Sequence, residues 1–153
     1  MHRSYEIRPL TDLGSGLEPL IAEAEGEGHR FVHRLLAEWE SGTNRFDGPG
    51  ELLLGAFIED RLVGVAGLNR DTYADEDGIG RLRHVYMLSA ARRLGVGSLL
   101  VRRILSEASK TFRIARLRTT TAEAAAFYRY LGFENVNEEA ATHRFLLTHP
   151  QIG

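Results

Sequence analysis

An α/β (α+β) chain, with a mixed sheet of seven strands and about four helices packed on it, is what this sequence predicts, on three observations. The run Glu51–Ile58 is almost continuously apolar, as expected of a strand buried on both faces. Two stretches, Arg30–Glu40 and Gly95–Ser109, carry apolar residues three and four apart, which makes one stripe along a helix. A glycine turn, Gly95-Val96-Gly97, stands between a strand pattern and the second of those helices.

The elements follow in order. Ser4–Leu10 reads as a first strand, and Gly14-Ser15-Gly16 breaks the chain before a short helix over Leu17–Glu25. In Arg30–Glu40 the stripe is Phe31, Val32, Leu35, Leu36 and Trp39, and Gly42–Gly50 reads as a loop. Glu51–Ile58 and Leu62–Leu68 flank the tight connection Glu59-Asp60-Arg61 and read as a hairpin. Asn69–Gly80 is polar and reads as a loop. Arg81–Leu88 alternates, so Arg81, Arg83, Val85 and Met87 should share one face and Leu82, His84, Tyr86 and Leu88 the other. In Gly95–Ser109 the buried stripe is Val96, Leu99, Leu100, Ile104, Leu105 and Ala108. Ile114–Arg118 is a short strand. Thr120 and Glu123 fit a capping box for a helix that runs to Leu131 and stops at Gly132. Phe133–Val136 and Thr142–Leu147 close the sheet.

Composition narrows the function. The chain has 153 residues, 43% hydrophobic and 26% charged, which suits one globular domain over 1–153. It has no cysteine, which excludes a thiolate metal site and a cysteine nucleophile. His2, His29, His143 and His149 are too scattered to suggest a metal site. No apolar stretch is long enough to span a membrane, and the first residues carry no apolar signal region, so a cytoplasmic location is expected. The net charge of −2 hides an asymmetry: residues 1–80 hold 7 Arg against 16 Asp and Glu, residues 81–153 hold 12 Lys and Arg against 5. Each half should face something of opposite sign. Nucleic acid is not the expected partner, because the arginines gather beside the glycine turn with no aromatic stacking platform.

The segment Arg92-Arg93-Leu94-Gly95-Val96-Gly97-Ser98 has the chemistry of an anion site. Main-chain N–H groups at a helix N-terminus lack internal partners, and the helix dipole adds partial positive charge there. Two glycines let the backbone approach a phosphate closely. No Gly-Lys-Ser/Thr follows, so it is not a P-loop. The third glycine and downstream acid of a dinucleotide fingerprint are missing too.

Arg92-x-x-Gly95-x-Gly97 after a strand resembles the acyl-CoA pyrophosphate loop of the GNAT superfamily of N-acetyltransferases. Ala124-x-x-Phe127-Tyr128-x-x-x-Gly132-Phe133 resembles the family's second hallmark, and the element order matches its fold over nearly the whole chain. The resemblance implies a mostly antiparallel sheet with a splay between strands 4 and 5, where the thioester lies. It implies that the backbone of Tyr86, Met87 and Leu88 meets the pantetheine arm, and that Arg92, Arg93, Leu94, Gly95, Val96, Gly97 and Ser98 hold the pyrophosphate. Thr121 stands where relatives often bond the pantetheine through asparagine. Tyr128 matches the tyrosine that protonates the departing thiolate in many relatives. The implied reaction moves acetyl from acetyl-CoA, the co-substrate, to a small-molecule or peptide amine by direct attack, with no metal. Relatives are often dimers, so a homodimer through Trp39 or the C-terminal strands is also implied. The alternative is a module that senses acyl-CoA without turnover.

The base and the acceptor contacts are less legible. An alkyl ammonium with a pKa of about 10.4 gives up its proton at neutral pH only at a cost of about 4.6 kcal/mol. Arg81 and Arg83 are not bases, which leaves His84 as the strand candidate, although alternation turns it to the other face. Asn69, Asp71 and Tyr73 could contact the acceptor from the next loop, and Glu23, Glu25, Glu27 or His33 from the early helices. Arg83, if it reaches the acceptor, could hold a carboxylate or phosphate on it.

Overall fold

The computed structural model describes residues 5–147, apart from the side chains of Ser15 and Arg93. Ser4, His2 and His149 therefore lie outside the described residues. The elements are β1 (Tyr5–Pro9), α1 (Glu18–Gly26), α2 (Phe31–Ser41), β2 (Leu52–Ile58), β3 (Arg61–Arg70), β4 (Ile79–Met87), α3 (Val96–Ala108), β5 (Ile114–Leu117), α4 (Ala122–Tyr130), β6 (Glu134–Asn135) and β7 (His143–Leu146). They build one seven-stranded sheet in the order β1-β2-β3-β4-β5-β7-β6, and every neighbouring pair is antiparallel except β4–β5.

β2 and β3 are apolar along their length because both of their faces are covered. On one face α3 and α4 bring Val96, Leu100, Val101, Ile104, Tyr128 and Leu131 against Leu54, Ala56, Ala66 and Leu68. On the other, α1 and α2 bring Leu20, Ala24, Val32 and Leu35 against Leu53, Val65 and Tyr86. The helices form because their stripes find these surfaces; Val32, Leu35, Val96 and Leu100 are fully buried. Among the described residues no helix is long and apolar enough to cross a membrane.

Leu99, expected in the buried stripe of α3, is exposed, while Val101 is buried. Three further local expectations need correction. β3 continues through Asn69, which is 6% exposed, and β4 begins at Ile79, so the connecting loop is only residues 71–78. Two polar residues at the end of β3 hid its true length. The cap of α4 is Thr121, whose Oγ1 accepts from Ala124 N at 3.1 Å, one residue beyond the Thr120 box. Thr121 is the residue with extended backbone (φ −105, ψ 143), and a capping side chain needs that conformation.

The third concerns β4. Gly67 pairs with Arg83 but Val65 pairs with Tyr86, so β4 advances three residues while β3 advances two. This is a β-bulge, and His84 absorbs it with φ 58, a left-handed conformation that costs a non-glycine residue about 1 kcal/mol or more. Strict alternation therefore fails. Leu82, Val85 and Met87 join the α3/α4 core, while Arg83 and His84 both turn to the α1/α2 face. Arg83 does not share a face with Val85 and Met87, nor His84 with Leu82.

Candidate active site at the strand 4–strand 5 opening

The parallel strands β4 and β5 pair at only three positions, Ile79/Ile114, Gly80/Ala115 and Arg81/Arg116. β5 ends at Leu117 while β4 runs on to Met87, so the sheet opens between them. Leu88 N donates to Val63 O at 2.8 Å, beside the Met87–Gly64 pair. In that pairing the N–H and C=O of Met87 point away from β3 and toward the opening, whereas Tyr86 and Leu88 turn theirs to β3. Of the three backbone positions expected to meet the pantetheine, Met87 is the one the strand geometry frees.

The glycine turn sits at the head of this opening. A 3-10 turn over Ser89–Leu94 ends at Gly95, whose φ of 77 is the reason for glycine there. α3 starts at Val96 with no side-chain cap, which leaves its first N–H groups without a side-chain partner. A Cβ on Gly97 would stand 3.4 Å from Met87 Cγ and 3.5 Å from Phe127 Cζ. The turn, the end of β4 and α4 thus meet around a position with no side chain.

Arg92 is committed elsewhere. Its Nη2 donates to Glu27 Oε1 at 2.7 Å and to Tyr86 Oη at 3.0 Å, and its Nε donates to Met87 O at 3.0 Å. Glu23 accepts from Ser89 N at 2.8 Å and from Ser89 Oγ at 3.0 Å. The Tyr86 hydroxyl lies 2.8 Å from Glu23 Oε1 and 2.7 Å from Glu27 Oε1, with one proton to share between them. Burial and the two carboxylates push the Tyr86 phenol well up. Burial raises the Glu23 carboxyl, but bonds from Tyr86 and Ser89 and the charge of Arg92 outweigh it and hold it low. The side chain of Arg92 thus latches α1 to the loop. The side chain of Arg93 lies outside the described residues.

Tyr128 is buried on α4, edge-on to Phe127 and Phe133 at centroid distances of 5.2 and 5.4 Å. Burial alone pushes its phenol well above the ordinary value, and among the described residues its hydroxyl has no hydrogen-bond partner. Tyr130 is exposed.

On the α1/α2 face, His84 is 7% exposed, and its Nδ1 lies 3.0 Å from Phe31 O. A carbonyl only accepts, so Nδ1 carries the hydrogen and Nε2 keeps a bare lone pair. Nε2 is buried without a partner. Burial, with the charges of Arg83 and Arg34, lowers the imidazole pKa to about 4. The unfolded pKa is about 6.5, so the folded state binds fewer protons between those values and stability falls as pH drops through the window. A shift from 6.5 to about 4 corresponds to a loss of up to about 3 kcal/mol. We expect unfolding free energy to fall by an amount of that order from pH 7 to pH 4, and the slope to flatten in His84→Leu; equal slopes in denaturant titrations would refute the assignment.

The other expected acceptor contacts take different places. Asn69 and Asn44 exchange side-chain amide bonds of 2.9 Å, which pins the α2–β2 loop to β3. The Asp71 carboxylate is fully covered; it lies 2.9 Å from Arg116 Nε and 3.4 Å from Arg81 Nη1 and accepts from Tyr73 N at 2.9 Å. Tyr73 is exposed, with the Arg81 guanidinium 4.9 Å over its ring. Arg83 is 3.7 Å from Glu38. Sequence reasoning missed Arg116 and Glu38 as members of this surface; the adjacency of Arg116 to Arg81 depends on a parallel register that no local pattern carries. A cavity of about 720 Å³ lies toward β1 and β2, lined by Leu10, Trp39, Phe46 and Arg103 among others and by none of these groups.

The charge asymmetry now has an explanation. Arg81, Arg83, Arg92, Arg113 and Arg116 each pair with an acid from the first 80 residues: Asp71, Glu38, Glu27, Glu76 and Asp71. To this extent the two halves face each other.

Comparison with known proteins agrees with this architecture. The family model of the acetyltransferase (GNAT) domain matches residues 49–135. A crystal structure from Exiguobacterium sp. 255-15, provisionally described as an acetyltransferase, is similar at 30% identity and TM-score 0.83, covering 94% of this chain and 93% of that one. A GNAT-family acetyltransferase from Staphylococcus aureus Mu50 is similar at 16% identity and TM-score 0.74, over 95% of this chain and 100% of that one. A GNAT-family acetyltransferase from Brucella melitensis, solved with acetyl-CoA, is similar at 18% identity and TM-score 0.68, over 99% and 93%.

Proposed function

Because the chain belongs to the GNAT acetyltransferase family, we propose that it acts as one acyl-CoA-binding domain that moves an acetyl group from acetyl-CoA to a primary amine by direct attack in a ternary complex. The observation that carries this reading is the convergence of the glycine turn, Met87 and Phe127 at the opening between β4 and β5. The residues fit the donor: α3 begins without a side-chain cap, and Gly97 leaves room where a Cβ would meet Met87 and Phe127. Main-chain N–H groups of Gly95, Val96, Gly97 and Ser98 hold the pyrophosphate, and the pantetheine arm runs along the open edge of β4 so that the thioester meets Met87. Thr121, whose Oγ1 already accepts from Ala124 N, has its hydroxyl proton left for the donor.

The amine nitrogen attacks the thioester carbonyl carbon and a C–N bond forms. Negative charge develops on the carbonyl oxygen, and the free N–H of Met87 is the donor for it. The C–S bond then breaks, Tyr128 gives its proton to the thiolate sulfur, and solvent restores it. The ammonium gives one proton to water before it attacks, and the nitrogen gives a second to water as the amide forms. His84, with a pKa of about 4, suits a hydrogen-bond acceptor that orients the amine better than a store for its proton.

The test is CoA-thiol release from acetyl-CoA with a panel of amino acids, peptides, polyamines and aminoglycosides. We expect release that depends on one class of amine. Tight acetyl-CoA binding with no release for any amine would instead leave an acyl-CoA-sensing module.

A further inference from the structure

Native proteins leave few buried polar atoms unpaired. Among the described residues, three such atoms lie on one patch: Glu38 Oε1, His84 Nε2 and Arg116 Nη2. They come from α2, β4 and β5, on the sheet face that α1 and α2 cover only as far as β4. Arg81 and Arg83 stand between them on that face, and Arg81 is the register partner of Arg116. Adjacent strands are about 4.8 Å apart and residues two along a strand about 7 Å, so one small molecule can span the patch.

The polarity of the three atoms is specific. The oxygen of Glu38 and the bare Nε2 of His84 accept hydrogen bonds, and Nη2 of Arg116 donates. A carboxylate oxygen and a neutral imidazole nitrogen suit the N–H groups of an amine, whereas arginine suits an anion. Arg116 already accommodates a carboxylate on its outer side: Glu138, on the loop before β7, reaches Nη1 at 3.3 Å and is 39% exposed. Asp71 and Glu138 together balance the charges of Arg81 and Arg116, but neither bonds Arg116 Nη2, and Glu38 meets Arg83 at 3.7 Å without a hydrogen bond.

We propose that the acceptor is a small zwitterionic amine, a primary amine that carries a free carboxylate, bound with its nitrogen toward Glu38 and His84 and its carboxylate toward Arg83 and Arg116. The inference rests on the acetyl-transfer reading above and names the substrate class of that site. A plain polyamine leaves Nη2 of Arg116 without a partner; an amide-capped amino acid offers it only a neutral carbonyl oxygen.

The experiment compares, at saturating acetyl-CoA, the free amino acids, the same compounds as carboxamides, and the decarboxylated amines. The expected result is a kcat/KM at least tenfold higher for one or more free amino acids than for the matching amide and amine. Arg83→Gln should raise KM for the amino acid about tenfold and leave KM for its amide within twofold, whereas a merely structural role would move both together. Equal turnover of acid, amide and amine overturns the inference while acetyl transfer stands. An equal effect of Arg83→Gln on acid and amide also overturns it. Silence of all three sets, with release from an aminoglycoside or another amine that carries no carboxylate, overturns it in favour of another acceptor; silence of every amine removes the acetyl-transfer reading as well.

Discussion

Tyr128→Phe should lower kcat by about a hundredfold or more while KM for acetyl-CoA stays within about twofold, as expected for the loss of a positioned general acid. The ring lies edge-on to Phe127 and Phe133 and is 8% exposed, and phenylalanine fills the same space. Its hydroxyl has no hydrogen-bond partner among the described residues, so its removal breaks no bond in the folded protein. Stability should therefore change by less than about 1 kcal/mol. A hydroxyl on a buried ring that holds no structural bond is then left with a chemical use. Burial holds the phenol protonated far into the alkaline range, so the wild-type pH profile should show no descending limb from Tyr128 below about pH 10. A kcat within threefold of wild type would remove Tyr128 from the proton transfer.

Asp71→Ala should cost about 3–5 kcal/mol of folding free energy, the range for a buried charge left without its partner. The Asp71 carboxylate has no exposed surface, and the Arg81 and Arg116 side chains on it are each 13% exposed. Without it two nearly covered guanidinium groups stand side by side on adjacent strands. The turn at Tyr73, whose N–H bonds Asp71 Oδ1 at 2.9 Å, loses its acceptor as well. In a domain of total stability about 5–15 kcal/mol that is a large share, and urea denaturation would read it directly. Burial pushes the carboxyl of Asp71 up, but Arg116, the Tyr73 N–H and Arg81 together hold it below the ordinary range. Its contribution is therefore complete above about pH 4 and lost as pH falls through the lowered folded value. A loss below about 1 kcal/mol would mean that solvent already screens the arginines.

Much of the fold was legible because burial writes itself into periodicity. The apolar runs of β2 and β3 and the stripes of α2 and α3 each mark a surface that must be covered, and the glycine turn announces itself by residue type. Details that depend on contacts between distant segments were not legible. The bulge is easily missed in Arg81–Leu88: the change of character stops alternating at Arg83-His84, but only pairing with β3 reveals the extra residue and turns Arg83 and His84 to the same side. Arg92 looks like a phosphate ligand from its neighbours in sequence, yet its guanidinium bonds Glu27, 65 residues away. The charge split was visible, but its complement proved in part to be the molecule itself.

That last feature bears on the order in which the chain takes shape. Glu23, Glu27 and Glu38 lie on the early helices, and the arginines they meet arrive only with β4 and the turn that follows. During synthesis the first half emerges as a polyanion whose carboxylates repel one another, which disfavours premature collapse of α1 and α2 onto the β2–β3 hairpin. Emergence of residues 81–92 supplies the cations and the fourth strand together. Closure of the sheet and docking of the helices are therefore expected to coincide, late in the chain and long in contact order, and refolding measured by stopped flow should be slower than the helix content suggests.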